Sequence, residues 1–322
     1  MSFIVWSIAG TASGLNVVSL LQGALFPAAI PLIWGAMAGV IGERAGVVNV
    51  AIEGQLLLGA FLAAFLATIA SSIWVGVVAG AFAGVLLAAV LAVMAIKYLV
   101  DQVIIGVVLN VFALGVTSYL FLVMMSPHAD EFNTPGYFQV WKVPGLGDIP
   151  LIGPVFFDGT IFLYATYVII AAISFGLFRT RWGLRLRSVG EHPRAADTVG
   201  IPVQGTRWRA LLLAGVIAGL GGAFLVIGSG ALSIFQLNIS TGKGFIALAC
   251  VIFGRWTPIG AVGAALIFGF ADQLQSLLSQ AGSPIDSNLL LTLPYIATLF
   301  AVAGFVGRVR PPAADGQPYA VG

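Results

Sequence analysis

Charged residues are scarce in this 322-residue chain: Asp, Glu, Lys and Arg together make up 8% of it, whereas 60% is hydrophobic. In a typical soluble domain, about a quarter of the residues are charged. A water-soluble fold of this length could not cover its surface with so few charges, but lipid solvates apolar side chains directly. The composition therefore predicts a membrane protein.

Cysteine and histidine are also rare. Cys250 is the only cysteine, so no internal disulfide is possible, and its apolar sequence context predicts a small buried residue. His128 and His192 are isolated and indicate no metal site. No Ser-His-Asp, Cys-His or paired-carboxylate pattern occurs at a persuasive spacing. We therefore expect neither an enzyme nor a metal or cofactor bound by this chain.

The sequence lacks an ATP-binding motif. Thr241-Gly242-Lys243 resembles the end of a phosphate loop, but Leu237 stands where the first glycine is required and Gly244 replaces the Ser or Thr. The first residues lack the basic region that opens a secretory signal, so we expect no cleavable signal peptide.

Long apolar runs are abundant. A helix that crosses a bilayer needs about 20 residues, and we predict such spans at 21–41, 47–70, 74–98, 102–125, 161–178, 210–230, from about 258, and at 289–306. The apolar segment 244–254 is too short for a span, so we interpret it as a short helix within a broken crossing. The prediction is an all-α, polytopic transmembrane bundle of about nine spans (eight to ten), forming a single domain over 1–310.

The distribution of charge predicts the orientation of these spans. Seven arginines fall within 179–209, and cytoplasmic loops are enriched in Lys and Arg. We therefore place this loop and the C-terminal tail, 311–322, in the cytoplasm. The acidic, proline-rich segment 126–158 then becomes a structured external loop, and the N-terminus lies outside. Localisation in the inner (cytoplasmic) membrane follows.

Glycines spaced four residues apart mark close helix packing, because small residues at this spacing let two helix backbones approach each other. The pattern occurs in three of the predicted spans, at Gly35/Gly39, Gly76/Gly80/Gly84 and Gly215/Gly219.

A short capped helix is predicted within the basic loop, in Gly190–Ile201. Pro193 suits the first helical turn, and Gly200 suits the residue just past the helix end. The residues alone leave two interpretations open. The segment is either an ordinary solvated loop, or a cytoplasmic helix whose small Ala195-Ala196 centre enters a groove on another protein.

A second polar segment, Gly42–Gln55, precedes an apolar run. Asn49 and Glu53 are four residues apart and share a helix face. A charge at the centre of a span costs roughly 2.5–3.5 kcal/mol on insertion scales. Glu53 should therefore either have a structural partner, for example Arg44, or line a polar transport pathway.

A third segment, Ser240–Gly260, contains Gly254 and Pro258 and predicts a broken helix. Broken helices at membrane depth line cavities or are buried in protein, so we expect either a packing kink or a part of a pathway that includes Lys243 and Phe245. Asn110 is a further polar candidate for the pathway. Asp272 is the other acid within a predicted span.

These three segments, in this order, resemble the permease subunits of ABC importers. The Glu-His-Pro-Arg-Ala-Ala-Asp-Thr-Val-Gly-Ile stretch at 191–201 is similar to their coupling-helix motif, in the branch for branched-chain amino acids, monosaccharides and nucleosides, although the Glu-Ala-Ala triplet itself is absent. The Gly42–Gln55 segment looks like that of nucleoside and simple-sugar permeases. The resemblance implies that a cytoplasmic ATPase docks on the coupling residues, which would be Glu191, Pro193, Arg194, Ala195, Ala196, Asp197 and Gly200.

The resemblance also implies the partners and the mechanism. ATP and Mg²⁺ would be bound by a separate ATPase subunit, a second permease subunit would complete the pathway, and an extracytoplasmic binding protein would deliver the solute. We expect alternating access, with nucleosides as the solute. The alternatives are a simple-sugar importer or a stand-alone secondary transporter; a membrane enzyme lacks any catalytic constellation.

Overall fold

The computed structural model describes residues 17–150, 152–229, 233–280 and 310–320. Its helices are α1 (Val17–Gly23), α2 (Ile30–Arg44), α3 (Ile52–Ile69), α4 (Ile73–Ala92), α5 (Gln102–Leu120), α6 (Ala129–Phe132), α7 (Ile152–Phe156), α8 (Ile161–Arg179), α9 (Arg181–Glu191), α10 (Pro193–Thr198), α11 (Val203–Ala223), α12 (Lys243–Phe253) and α13 (Pro258–Gln280). Two short antiparallel strands, β1 (Trp141–Lys142) and β2 (Asp158–Gly159), pair within the predicted external loop.

A polytopic helical bundle is therefore observed. Within the described ranges, seven helices are long and apolar enough to cross a membrane, and the shorter α12 is also apolar. Each of the seven overlaps a span predicted from the sequence. The remaining predicted span, 289–306, lies outside the described residues, so the count of nine spans stays a prediction.

Four turns of π-helix extend or join these helices. Ala24–Ala29 joins α1 to α2 and contains Pro27, and further π-helical turns, Val93–Lys97, Phe121–Met125 and Phe224–Gly228, follow α4, α5 and α11. Proline removes a backbone donor and clashes with the preceding turn of an α-helix, and wider turns accommodate such disruptions. The first span is thus continuous, and the irregularity at Pro27 takes the form of a π-helical stretch.

The centre of the bundle is built on glycine contacts, as the sequence predicts. A Cβ atom on Gly84 would overlap the carbonyl oxygen of Gly215, and one on Gly219 would overlap that of Gly80. These contacts bring α4 and α11 together backbone to backbone. On α2, Gly35 and Gly39 face Ala247 and Val251 of α12 in the same way.

Helices differ sharply in how much of their surface other helices cover. In the most apolar window of the first span 94% of residues are buried, whereas the corresponding share for α5 and for α8 is 28%. The exposed side chains of α5 are apolar and include Ile104, Val111 and Phe112. Such a surface suits lipid or another membrane subunit.

The boundaries of the predicted basic loop need correction. The loop 179–209 is largely helical, because α9 and α10 occupy it and α11 begins at Val203, before the predicted start at Ala210. The predicted short helix and the separate span after it are both observed, as α12 and α13. The turn that joins them, Gly254–Pro258, is tight because Gly254 packs against the backbone of Gly260 and Ala261.

Candidate functional site

The Pro193–Thr198 helix, α10, has the predicted ends. Pro193 occupies its first turn, and Gly200, with φ of +81°, adopts the left-handed conformation that favours glycine. The backbone N–H of Gly200 donates to Asp197 O at 2.9 Å and that of Ile201 to Ala196 O at 3.0 Å, which closes the helix end.

The two central alanines of α10 face in opposite directions. Ala196 is only 4% exposed and packs with Val189 and Val203 in a small core between α9, α10 and α11. Ala195 and Arg194 are exposed to solvent, and Val199 is 75% exposed. Ala196 therefore supports the helix from behind, and Ala195 lies on its exposed side. The docking role of the two alanines stays a prediction.

The C-terminal tail covers the two predicted coupling carboxylates. Tyr319 Oη donates to Asp197 Oδ2 at 2.8 Å, and the backbone N–H of Ala313 donates to Glu191 Oε2 at 3.2 Å. The hydrogen bond to Asp197 raises the pKa of Tyr319 above its usual value. The predicted division between a membrane domain and a separate tail therefore underestimates how closely the two pack.

The end of α9 contacts the turn that follows α2. Gly190 lies against the carbonyl oxygen of Arg44, where a larger residue would not fit. Gly46, with φ of +83°, lies beside Arg207 of α11. A movement of α9 and α10 would therefore act directly on the Gly42–Gly46 turn.

The same turn is hydrogen-bonded to the α12–α13 connection. Arg44 Nε donates to Trp256 O at 2.8 Å, and the indole N–H of Trp256 donates to the Glu43 carboxylate. Both Glu43 and Trp256 are buried. Sequence reasoning missed this pair, because its members are separated by more than two hundred positions and only Glu43 stands out as a charge at a span end.

The chain between α2 and α3 is irregular and is held by amide side chains. Val48 N–H donates to Gln102 Oε1 at 2.8 Å, Gly54 N–H donates to Asn110 Oδ1 at 2.8 Å, and Asn110 Nδ2 donates to Val50 O at 2.9 Å. Asn49, fully buried, pairs with Gln55. Asn49 and Asn110 therefore satisfy neighbouring polar groups rather than facing open space, and Gln102 is a partner that sequence reasoning missed.

Glu53 caps the first turn of α12. Its Oε1 accepts hydrogen bonds from Ser240 Oγ at 2.5 Å and Gly242 N at 2.9 Å, and its Oε2 accepts one from Gly244 N at 2.6 Å. The free N–H groups and the positive end of a helix dipole both favour a carboxylate there. Of the two interpretations, the structure supports a structural partner, but that partner is a helix end and not Arg44.

The position of this cap relative to the membrane follows from the length of α12. Its 11 residues extend about 16 Å, roughly half of a hydrocarbon core of about 30 Å. The C-terminal end of α12 leads to Trp256, which contacts Arg44. With Arg44 at the predicted cytoplasmic surface, we expect the N-terminal end of α12 near the middle of the membrane. Residues 233–242, which lead to it, form no regular helix.

The irregular segment presents polar groups on the surface of the single chain. Gln236, Asn238 and Thr241 are exposed, and Asn238 and Thr241 have φ of +54° and +46°, so the backbone there is not helical. Phe245, in the first turn of α12, is 49% exposed. Lipid cannot satisfy exposed irregular backbone, so this face requires a polar cavity or a second subunit.

Lys243 lies on this face, and its Nζ donates to Thr241 Oγ1 at 3.1 Å. The predicted pathway residues thus divide into two groups: Lys243 and Phe245 lie at the accessible surface, whereas Asn49, Glu53 and Asn110 are buried behind it. Asp272 is exposed on α13, away from this arrangement.

Known proteins share the sequence over nearly its whole length. Residues 22–302 match the family of the permease component of branched-chain amino acid transport systems. The chain is 40% identical to a guanosine ABC transporter permease protein, NupQ, of Bacillus subtilis, with 96% of this chain and 98% of the relative covered. It is 38% identical to a nucleoside ABC transporter permease protein, NupC, of Lactococcus lactis, with 95% and 99% covered.

A third relative is named for a different substrate. It is a putative glucose ABC transporter permease protein, TsgC13, of Haloferax volcanii, 32% identical with 90% of this chain and 92% of the relative covered. No solved structure matches the chain. The family match and the near-complete coverage agree with the apolar helices, and the chain belongs to the family of ABC transporter permease components of the branched-chain amino acid transport type, as a multi-pass protein of the cell membrane.

Proposed function

We propose that this permease is the membrane-spanning subunit of a binding-protein-dependent importer for nucleosides. The observation that carries the choice of solute is its similarity, at 40% and 38% identity over nearly the full length, to permeases named for guanosine and for nucleosides. The glucose-type relative, at 32%, supports the alternative, a simple-sugar importer. In our proposal the complete chain has about nine spans, and α10 is its cytoplasmic coupling helix.

The proposed pathway runs along the broken crossing formed by residues 233–253. Its exposed polar backbone near the middle of the membrane needs a water-filled lining, and Lys243 and Phe245 stand at that surface. An aromatic ring and a set of hydrogen-bonding groups are what a nucleoside base and ribose would need. A second permease subunit, identical or paralogous, would face this surface and close the cavity.

The contacts from α10 to this surface support a route for coupling. Closure of the ATPase would move α9 and α10 against the Gly42–Gly46 turn, which holds Trp256 at the far end of α12 through Glu43 and Arg44. Because α12 is one rigid helix whose other end is capped by Glu53, a shift at Trp256 would be transmitted to the mid-membrane segment.

Uptake by proteoliposomes tests this proposal. The permease is reconstituted with its ATPase, second permease and binding protein. We expect the vesicles to take up radiolabelled guanosine only when ATP and Mg²⁺ are present on the side of the membrane that carries the ATPase. Excess unlabelled uridine or adenosine should compete, and glucose should not. Competition by glucose alone would assign the chain to sugars, and uptake driven by a proton gradient without ATP would contradict the importer.

A further inference from the structure

The tail, residues 310–320, lies across α9, α10 and α11 on the predicted cytoplasmic side. The backbone N–H of Ala314 donates to Gly190 O at 2.9 Å, and Arg207 Nη1 donates to Gln317 O at 2.9 Å. Ala314 is 4% exposed and Arg207 is 2% exposed, so these contacts are within the protein and not on its rim.

The tail reaches α10 through Tyr319. Its ring packs against the small core of Val189, Ala196 and Val203 that supports α10 from behind, while its hydroxyl donates to Asp197. A tyrosine can do both because it combines an apolar ring with a polar tip. The core it joins is small, so one ring is a considerable part of the support for α10.

The same tail also fixes the other end of the coupling segment. Ala313 N–H donates to Glu191, which ends α9, and Ala314 N–H donates to the neighbouring Gly190. Glu191 lies just before α10, and Asp197 lies in its last turn. A six-residue helix has little stability of its own, so bonds at both flanks determine the direction in which it points.

We propose that residues 310–320 form a strap that orients α10 for the ATPase, with Tyr319 as the positioning residue. The inference depends on the proposed role of α10. In this arrangement Asp197 and Glu191 are hydrogen-bonded to the strap and do not bind the ATPase. The exposed Arg194, Ala195 and Val199 form the surface that contacts the ATPase. Tyr319 acts on the interface without touching it.

The test is a double-mutant cycle on the complete transporter. Tyr319→Phe keeps the ring and removes only the hydroxyl, and Asp197→Ala removes the acceptor oxygens. We expect each single variant to weaken binding of the ATPase to the purified permease by about fivefold, as loss of one hydrogen bond to a charged group allows. We expect the double variant to be no weaker than either single variant, because both remove the same bond.

A matched control is Tyr167→Phe. Tyr167 also donates its hydroxyl to the protein, to Phe156 O at 3.1 Å, but in the predicted external region, and its variant should bind the ATPase as the parent does. Thermal stability of the detergent-solubilised permease is measured in parallel. If Tyr319→Phe lowers only this stability and leaves ATPase affinity unchanged, Tyr319 is a folding contact and the strap is rejected.

Two further variants separate this inference from the proposed function. Ala195→Arg and Val199→Asp alter the exposed face of α10 without touching the strap, and both should abolish ATPase binding. If neither does, α10 is not the coupling helix and the proposed function fails. If both abolish ATPase binding, α10 is the coupling helix. If the Tyr319 and Asp197 variants then bind the ATPase normally, or if their losses of affinity add in the double variant, only the strap is rejected.

Discussion

Polar side chains in the membrane part of this protein mainly form hydrogen bonds with backbone groups. Glu53 accepts three hydrogen bonds at the start of α12, and Asn110 both donates to and accepts from the chain that leads into α3. The irregular segments before α3 and before α12 are each matched by a side chain that replaces missing helical partners. Buried N–H groups without partners would be costly in such a setting.

Glu53 provides a direct test at the residue level. Glu53→Ala leaves three donors unpaired near the middle of the membrane, and each bond to a charged group contributes about 1.5–3 kcal/mol. We expect a large loss of folded protein and of uptake. Glu53→Gln keeps one acceptor oxygen and should give an intermediate loss in both. Uptake per folded permease and the thermal unfolding midpoint measure this.

Asp272→Asn is the control for Glu53, since Asp272 is also an acid within a membrane helix but is exposed. This variant should leave both the uptake per folded permease and the thermal unfolding midpoint unchanged. Full stability of Glu53→Ala would contradict the capping role, and full stability with lost uptake would instead assign Glu53 to the pathway.

Asp315 in the tail predicts a pH dependence. Burial raises the pKa of this carboxyl from 3.8 to about 7, although the Gly316 N–H and Arg207 oppose the change, and Glu43 is the acid that faces it from α2. The docked tail thus binds the proton more tightly than a released tail does. Docking should be strongest at low pH, weaken as the pH rises towards about 7, and then level off.

Hydrogen–deuterium exchange of residues 310–320, compared at pH 5.5 and 8 after correction for intrinsic rates, measures this effect. Asp315→Asn, which cannot ionise, should exchange equally slowly at both values. If residues 310–320 of the parent protein exchange more slowly at pH 8 than at pH 5.5, the tail docks more tightly at higher pH, and the role assigned to Asp315 is contradicted.

At the level of elements, the α4–α11 contact depends on glycine. The Cβ of a Gly84→Ala variant would meet the backbone of Gly215 and Gly219, which cannot move aside as a side chain can. We expect a fall in the thermal midpoint and in folded yield, with a loss of about 1–3 kcal/mol, typical of overpacking. The thermal unfolding midpoint in detergent is the measurement.

Gly115→Ala is the matched control, because Gly115 is also in a membrane helix, α5, but has no atom within 4 Å of its Cβ position. Alanine favours a helix over glycine by about 0.5–1 kcal/mol, so this variant should be neutral or slightly more stable. Equal effects at the two positions would show that helix propensity, and not close packing, governs the glycines.

Elements with few residues depend most on their neighbours. α10 and α12 are shorter than any of the seven spanning helices in the described part of the chain, and each is fixed at its ends by groups from elsewhere: α10 by the tail, α12 by Glu53 and by Glu43 with Arg44. Their ends are also where the proposed ATPase and solute would act.

At the level of the whole molecule, the buried centre and the lipid-like periphery serve different purposes. The helices with the highest burial, α2, α3 and α11, carry the contacts that connect α10 with α12. The exposed α5 and α8 carry apolar side chains that suit lipid or a second subunit. In the proposed alternating access, a rigid centre with a broken crossing on one side would concentrate movement at the break.

The positions of the spans followed from the sequence because hydropathy and charge are local properties. A run of about 20 apolar residues must form a helix wherever it crosses lipid, and proline and glycine bound α10 through their own backbone preferences. The same local reasoning separated the short helix at 244–254 from the span that begins near Pro258, but it left open whether that break serves packing or a pathway.

Partners across the bundle were decided only by the tertiary structure. Glu53 and Ser240 are 187 positions apart, and Tyr319 and Asp197 are 122 apart. No local pattern in the sequence specifies which distant donor meets a buried carboxylate, or which of two adjacent alanines faces inward. The chain itself determined that it crosses the membrane repeatedly; the packing of its helices determined that Glu53 caps α12 and that the tail holds α10, because those contacts exist only once distant segments are brought together.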